Sequence, residues 1–127
     1  MSGLFRKVDC HSLPVDNLDQ ALDFYQAKLG HELIWRSESA AGMRIPESNA
    51  ELVLHTADRP IETDFTVGAV PDAIKVFTEA GGEVVVEPFD IAIGKCAVLR
   101  DPWGNKIVIL DNSKGLLQVD QDKNVIK

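Results

Sequence analysis

The 127-residue chain has 45% hydrophobic and 26% charged side chains, the balance of a globular domain with its own core rather than a disordered segment. A formal net charge of −7 argues against a nucleic-acid partner, whose phosphates call for a surplus of Lys and Arg. No apolar run approaches the roughly 20 residues that cross a bilayer. The N-terminus lacks the order of a signal peptide, and Cys10 and Cys96 stand outside any CxxC spacing. A cytoplasmic protein with no membrane partner, structural zinc or disulfide framework is therefore expected.

In chain order, Phe5–Val15 reads as a strand, with Leu13 and Val15 on one face and Cys10, Ser12 and Pro14 on the other. Asp16 and Asn17 offer helix caps, and Asn17 with Gln20 fits a capping box. Leu18, Ala21, Leu22, Tyr25 and Leu29 recur at helical spacing and predict an apolar stripe, closed by Gly30 as a C-terminal cap. Three short strands follow at about His31–Ser37, Ala40–Pro46 and Glu51–His55. The polar stretch Thr56–Pro60 marks a boundary.

A strand at Ile61–Gly68 then leads to a helix at about Val70–Ala80, burying Val70, Ala73, Ile74 and Phe77. Pro71 is tolerated in its first turn. No good capping side chain precedes this helix, so it is expected to be the weaker of the two. Strands are predicted near Glu83–Pro88, Gly94–Arg100 and Lys106–Asp111. Between the last two, Asp101-Pro102-Trp103-Gly104-Asn105 has the chemistry of a tight turn, with Trp103 expected as a packing anchor. The segment 112–127 could form a small hairpin, fray, or dock on a second subunit.

The two halves repeat at an offset of 52 residues: Leu13 answers to Phe65, Val15 to Val67, Leu18 to Val70, Ala21 to Ala73, Tyr25 to Phe77 and Gly30 to Gly82. One offset kept through both a strand and a helix points to two copies of a βα-led module. Each half has about 60 residues and one amphipathic helix, a marginal core alone. One domain over 1–127 is expected, with module one at about 5–57, module two at about 58–111 and an extension at 112–127.

The doubled β-α-β-β-β pattern, the LPV strand end, the helix closing on LG and the DPxGN turn resemble the vicinal oxygen chelate superfamily of glyoxalase I, bleomycin-resistance proteins and extradiol dioxygenases. The resemblance covers roughly residues 5–111. It implies an α+β fold of two tandem βαβββ modules forming a cupped, partly open mixed β-sheet barrel with helices outside. It also implies a small-molecule ligand and a homodimer.

Enzymes of that superfamily hold a divalent metal in the cup, through residues of the first and last strands of the modules. The corresponding positions here are Cys10, Val53, Glu62 and Val108. A catalytic metal needs at least three donors from His, Cys or carboxylates, and two valines supply none. No metal and no other cofactor is therefore expected.

The remaining polar residues are weighed by strand alternation. His11 is one residue off its slot and should face the helix side with Leu13 and Val15, unless a β-bulge re-aims it. His31 should face solvent, and His55 shares parity with Val53 and so lines the cup. Glu62 and Asp64 share a face about 7 Å apart, placed to attract a cation or act as acid and base, or simply to be solvated. A non-standard Glu62–Asp64–His55 metal site is the alternative that departs from the family geometry. Trp35 and Arg44 lie on strands that wall the cup, as a stacking plane and an anion-binding guanidinium, or as a core tryptophan and a surface arginine. Cys10 has no base adjacent in sequence and reads as a buried thiol.

Two functions follow as expectations. The first is a metal-independent protein that binds or sequesters a small molecule in the cup, lined by Cys10, Ser12, Trp35, Arg44, Val53, His55, Glu62, Asp64 and Val108. The second is a glyoxalase-type lyase, isomerase or dioxygenase, with or without a metal at a non-standard site. A third, an interaction module, would have its cup filled by side chains.

Overall fold

The structure is a computed structural model and describes residues 3–126. Met1, Ser2 and Lys127, the ends of the expected domain, lie outside the described residues. The fold is α+β. Its order is β1 (Lys7–Pro14), α1 (Leu18–Leu22) running into a π-helical segment (Asp23–Lys28), β2 (Leu33–Arg36), β3 (Ala40–Arg44) and β4 (Glu51–His55), then β5 (Glu62–Thr66), α2 (Val70–Glu79), β6 (Glu83–Ile91), β7 (Gly94–Arg100) and β8 (Lys106–Leu110). The order confirms two βαβββ modules.

The compact units do not follow the module boundaries at their ends. One comprises Thr63–Leu117 with the chain up to Val8, the other Asp9–Glu62 with the tail from Gln118. Phe5 stacks on Phe65 with ring centroids 4.9 Å apart, and the Arg6 N–H donates to the Thr66 carbonyl at 2.8 Å. The N-terminal residues thus pack with module two.

In the unit of module one, β1 pairs parallel with β4, β4 antiparallel with β3, and β3 antiparallel with β2. Leu18 and Leu22 of α1 pack on Ala41, Met43 and Leu54, with Leu13 and Leu52 at the margin. The Asn17 side chain caps α1 by accepting from the Gln20 N–H at 2.9 Å, as its capping-box spacing predicts. The expected single helix through Leu29 is corrected. After one α turn the backbone widens, and the Leu29 N–H donates to the Phe24 carbonyl five residues back at 3.0 Å. The wider turn takes Leu29 off the apolar stripe, leaving it 52% exposed. Gly30 closes the segment at φ +83°.

The tail forms a small hairpin. Val119 bridges Val125, the Ile126 N–H donates to the Gln118 carbonyl, and Asn124 bridges Arg36 on the outer strand β2.

In the unit of module two, β5 pairs parallel with β8, β8 antiparallel with β7, and β7 antiparallel with β6. Val70 and Ala73 of α2 pack on Val67, Ala97, Leu99 and Ile109. Strand β6 runs on to Ile91 with two register shifts. The second, between Val86 and Phe89, accommodates Pro88, which cannot donate to a ladder. The missing cap of α2 comes from 41 residues away. Ala69 provides no capping side chain, and Oδ2 of Asp111 accepts from the Val70 N–H at 2.8 Å. Oδ1 of Asp111 accepts from the N–H groups of Lys95 (2.9 Å) and Ser113 (3.2 Å) and from the Ser113 hydroxyl (2.8 Å). Gly94 makes room, since a Cβ there would overlap Asp111.

The DPWGN turn forms as its residues predict. Oδ1 of Asp101 accepts from the N–H groups of Trp103 (2.9 Å) and Asn105 (2.8 Å), and Gly104 takes φ +88°. Trp103 is not a packing anchor: the turn holds it at its tip, 83% exposed.

Candidate functional site

In each module the strands turn one face toward the helix and one away from it, and the candidate residues sort by that alternation. In module one the face away from α1 is laid out in three rows by strand register. Arg44, Glu51 and Cys10 form one row across β3, β4 and β1. Trp35, Gly42, Val53 and Ser12 form the next across β2, β3, β4 and β1. Ala40, His55 and Pro14 form the last. Cys10, Ser12, Val53 and His55 are all buried.

Trp35 is fixed rather than loose. Its Nε1–H donates to Oε1 of Glu51 at 2.7 Å, and the indole lies where a Cβ on Gly42 would be. Glu51 was missed by the sequence reasoning, although its parity with Val53 and its place at the start of β4 could have flagged it. Arg44 turns outward, with Nε 3.2 Å from Oε2 of Glu32. Its main-chain carbonyl lies 3.0 Å from Nδ1 of His31, which is half-buried rather than simply solvent-facing. Cys10 Sγ and Ser12 Oγ lie 3.9 Å apart, a weak contact at most.

His55 is the unusual residue of this face. It is 2% exposed, and both ring nitrogens are buried without a well-formed hydrogen bond among the described residues. Burial lowers its pKa below the usual 6.5, and the Arg59 guanidinium lowers it further, against opposing effects of Glu62 and the Ala57 backbone. The net effect favours the neutral ring. Glu62 is half-buried and paired with Arg59 at 3.3 Å. His11 pairs with Leu52 in an unbroken register, so it faces the helix side and no bulge re-aims it.

In module two, Asp64 pairs with Val108 and Thr66 with Leu110 on the face away from α2. Val108, Leu110 and Cys96 form a buried apolar cluster there, edged by Ile91, Ile93 and Val98. The Asp64–Val108 register mirrors Ser12–Val53 in module one, and Thr66–Leu110 mirrors Pro14–His55. His55 thus stands where module two carries leucine.

Two clefts lie at the ends of the elements. One, of about 630 Å³, is lined by Leu4, Arg6, Gly68 and Asp72 beside the start of α2. The other, of about 560 Å³, lies at the ends of β1 and β4 and is lined by Pro14, Val15, Thr56, Arg59 and Pro60.

Comparison with known families decides the kinship. Residues 7–109 match the model of the Glyoxalase/Bleomycin resistance protein/Dioxygenase superfamily. The chain belongs to that superfamily. No curated protein matches the sequence. Among solved structures, methylmalonyl-CoA epimerase from Mycobacterium tuberculosis is similar at 17% identity and a TM-score of 0.75, over 89% of this chain and 92% of that one. The Streptomyces coelicolor methylmalonyl-CoA epimerase matches at 16% identity and a TM-score of 0.71, over 86% and 96%. An extradiol ring-cleaving dioxygenase from B. fuscum matches at 20% identity and a TM-score of 0.61, over 85% of this chain and 33% of its own. At these identities the likeness shows a shared fold.

The superfamily's usual divalent metal can be tested against the four positions that the sequence resemblance assigns to its ligands. Val53 and Val108 are buried hydrocarbon, Glu62 is engaged by Arg59, and Cys10 is a buried thiol. That set does not fit a metal needing three or more N, O or S donors. Nor do Glu62, Asp64 and His55 supply an alternative: among the described residues no group of three or more His, Cys, Asp or Glu is placed to hold a metal.

Proposed function

We propose that this superfamily member is a small-molecule-binding protein that works without a divalent metal, taking its ligand on the sheet faces turned away from the helices. One observation carries the reading: Val53 and Val108, at positions that the sequence resemblance assigns to metal ligands, are buried hydrocarbon. Binding of this kind needs an apolar floor and a few polar groups rather than a reaction centre. On the face of module one Val53 supplies the first and Ser12 and His55 the second; on that of module two Val108 and Leu110 supply the first and Asp64 the second. The protein is proposed to act in the cytoplasm as a homodimer. Exposed Val85, Val86 and Phe89 on the outer strand β6 support a second copy as partner.

A panel of cationic, aromatic and thiol-containing compounds in thermal-shift assays tests the binding. A true ligand raises Tm with concentration as RT ln(1 + [L]/Kd). If no compound shifts the melt at saturating concentration, the binding reading fails in favour of an interaction module.

A lyase, isomerase or dioxygenase is the second reading. It is favoured by the buried imidazole of His55, whose surroundings favour the neutral form that can accept a proton. Turnover abolished in His55→Gln, with ligand binding retained, would establish it.

A further inference from the structure

Two restraints fix the indole of Trp35. Its Nε1–H donates to Oε1 of Glu51 at 2.7 Å. The ring also fills the place of a missing side chain: Cε2 and Cδ1 lie 2.5 and 2.7 Å from where a Cβ on Gly42 would stand, with Nε1 closer still. A ring standing on its Nε1 edge would hold those two carbons much further off than the nitrogen. The indole therefore lies flat over Gly42, one face against β3 and the other turned away from the strands. Trp35 is only half-buried, so the rest of the chain does not cover it over.

An aromatic plane already held flat suits stacking, because little freedom is lost when a second ring settles on it. Beyond Gly42 the row continues to Val53 and Ser12, an apolar and then a hydroxyl-bearing neighbour on the same face. The bond from the indole N–H to a carboxylate is charge-assisted and adds electron density to the ring. An electron-rich indole face attracts a cation more strongly than a neutral ring of the same shape. The net charge of −7 favours the approach of such a cation.

Resting on the small-molecule-binding reading, we propose that Trp35 is the stacking platform for a planar heteroaromatic cation, taken on the face of module one turned away from α1. Gly42 gives the indole its flat seat, and Glu51 fixes its rotation and enriches its π-face. The platform selects in two ways. Its flatness favours an aromatic cation over a saturated one, and its electron density favours a cation over a neutral aromatic ring.

Three probes of similar size test the assignment by titration of the full chain: 1-methylpyridinium, toluene as its neutral planar isostere, and 1,1-dimethylpiperidinium as a saturated cation. Binding is followed by the indole N–H resonance of Trp35 in 1H–15N spectra, told apart from that of the exposed Trp103 with Trp103→Phe. 1-Methylpyridinium is expected to bind about tenfold more tightly than either of the other two and to shift the Trp35 resonance to saturation. Trp35→Leu should abolish that binding. Glu51→Gln, which still offers an acceptor to the indole, should narrow the preference over toluene to about threefold and leave toluene binding unchanged. The assignment is overturned if 1,1-dimethylpiperidinium binds as well as 1-methylpyridinium, if the preference over toluene survives whole in Glu51→Gln, or if binding saturates without moving the Trp35 resonance. It also falls if none of the three binds, whereas the broader binding reading is judged by the thermal-shift panel. The Trp35 shift is read on the unaltered protein, so a poorly folded variant does not protect the proposal.

Discussion

At the residue scale, two buried titratable side chains carry most of the consequences. Asp111 is 1% exposed and satisfies four donors from three places in the chain. Burial alone would raise its pKa, but the N–H groups of Val70 and Lys95 and the Ser113 hydroxyl and N–H outweigh it and hold the carboxyl below 3.8. The unfolded state therefore binds more protons in acid. Asp111 contributes stability above pH 3.8 that is lost as pH falls through its lowered pKa. Replacing it by Asn exchanges one acceptor oxygen for an NH2 facing backbone donors. Asp111→Asn should cost about 3 kcal/mol, read from urea denaturation midpoints. His55 acts in a milder range. Its lowered pKa also means that the unfolded state binds the extra proton, so Tm should fall as pH drops below 6.5. In His55→Leu that slope between pH 7 and 5 should flatten. An unchanged slope would mean that His55 is not the group responsible.

At the element scale, periodicity made most of the fold legible. The strands Glu51–His55 and Gly94–Arg100 were readable to the residue, because short apolar runs bounded by polar and turn residues leave little choice. What escaped depended on distant partners. The cap of α2 could not be seen near Ala69 because it comes from Asp111, and the widening of the first helix into a π segment left no mark in the apolar spacing. Trp103 looked like an anchor by its bulk, yet the Asp101 hydrogen bonds fix the turn without it. The candidate site was legible as a face rather than as a network. Alternation placed Cys10, Ser12, Val53 and His55 together, whereas the Trp35–Glu51 bond needed the packing of Trp35 on Gly42 to be known. Gly42→Ala puts a methyl into the indole, a change that typically costs 1–3 kcal/mol in a filled core, so a loss of about 2 kcal/mol is expected. Tryptophan fluorescence should report the displaced ring; an unchanged spectrum and midpoint would contradict that packing.

At the scale of the whole molecule, the repeat and its register set the family and also test its chemistry. Ser12–Val53 and Asp64–Val108 occupy matching places in the two modules, so a valine in each is a property of both halves rather than an isolated change. Re-creating a carboxylate at one of them would bury an unpaired charge. Val108→Glu should lower stability by about 3 kcal/mol or more and should not be rescued by added zinc, nickel, manganese or iron. The central claim is that ligand binding here proceeds without a divalent metal. Its most direct test is elemental analysis of the unaltered protein after loading with each of these four metals and washing with a chelator. The account predicts far less than one metal per chain and no metal-dependent rise in Tm. One equivalent retained per chain through the wash, with a matching rise in Tm, would contradict it.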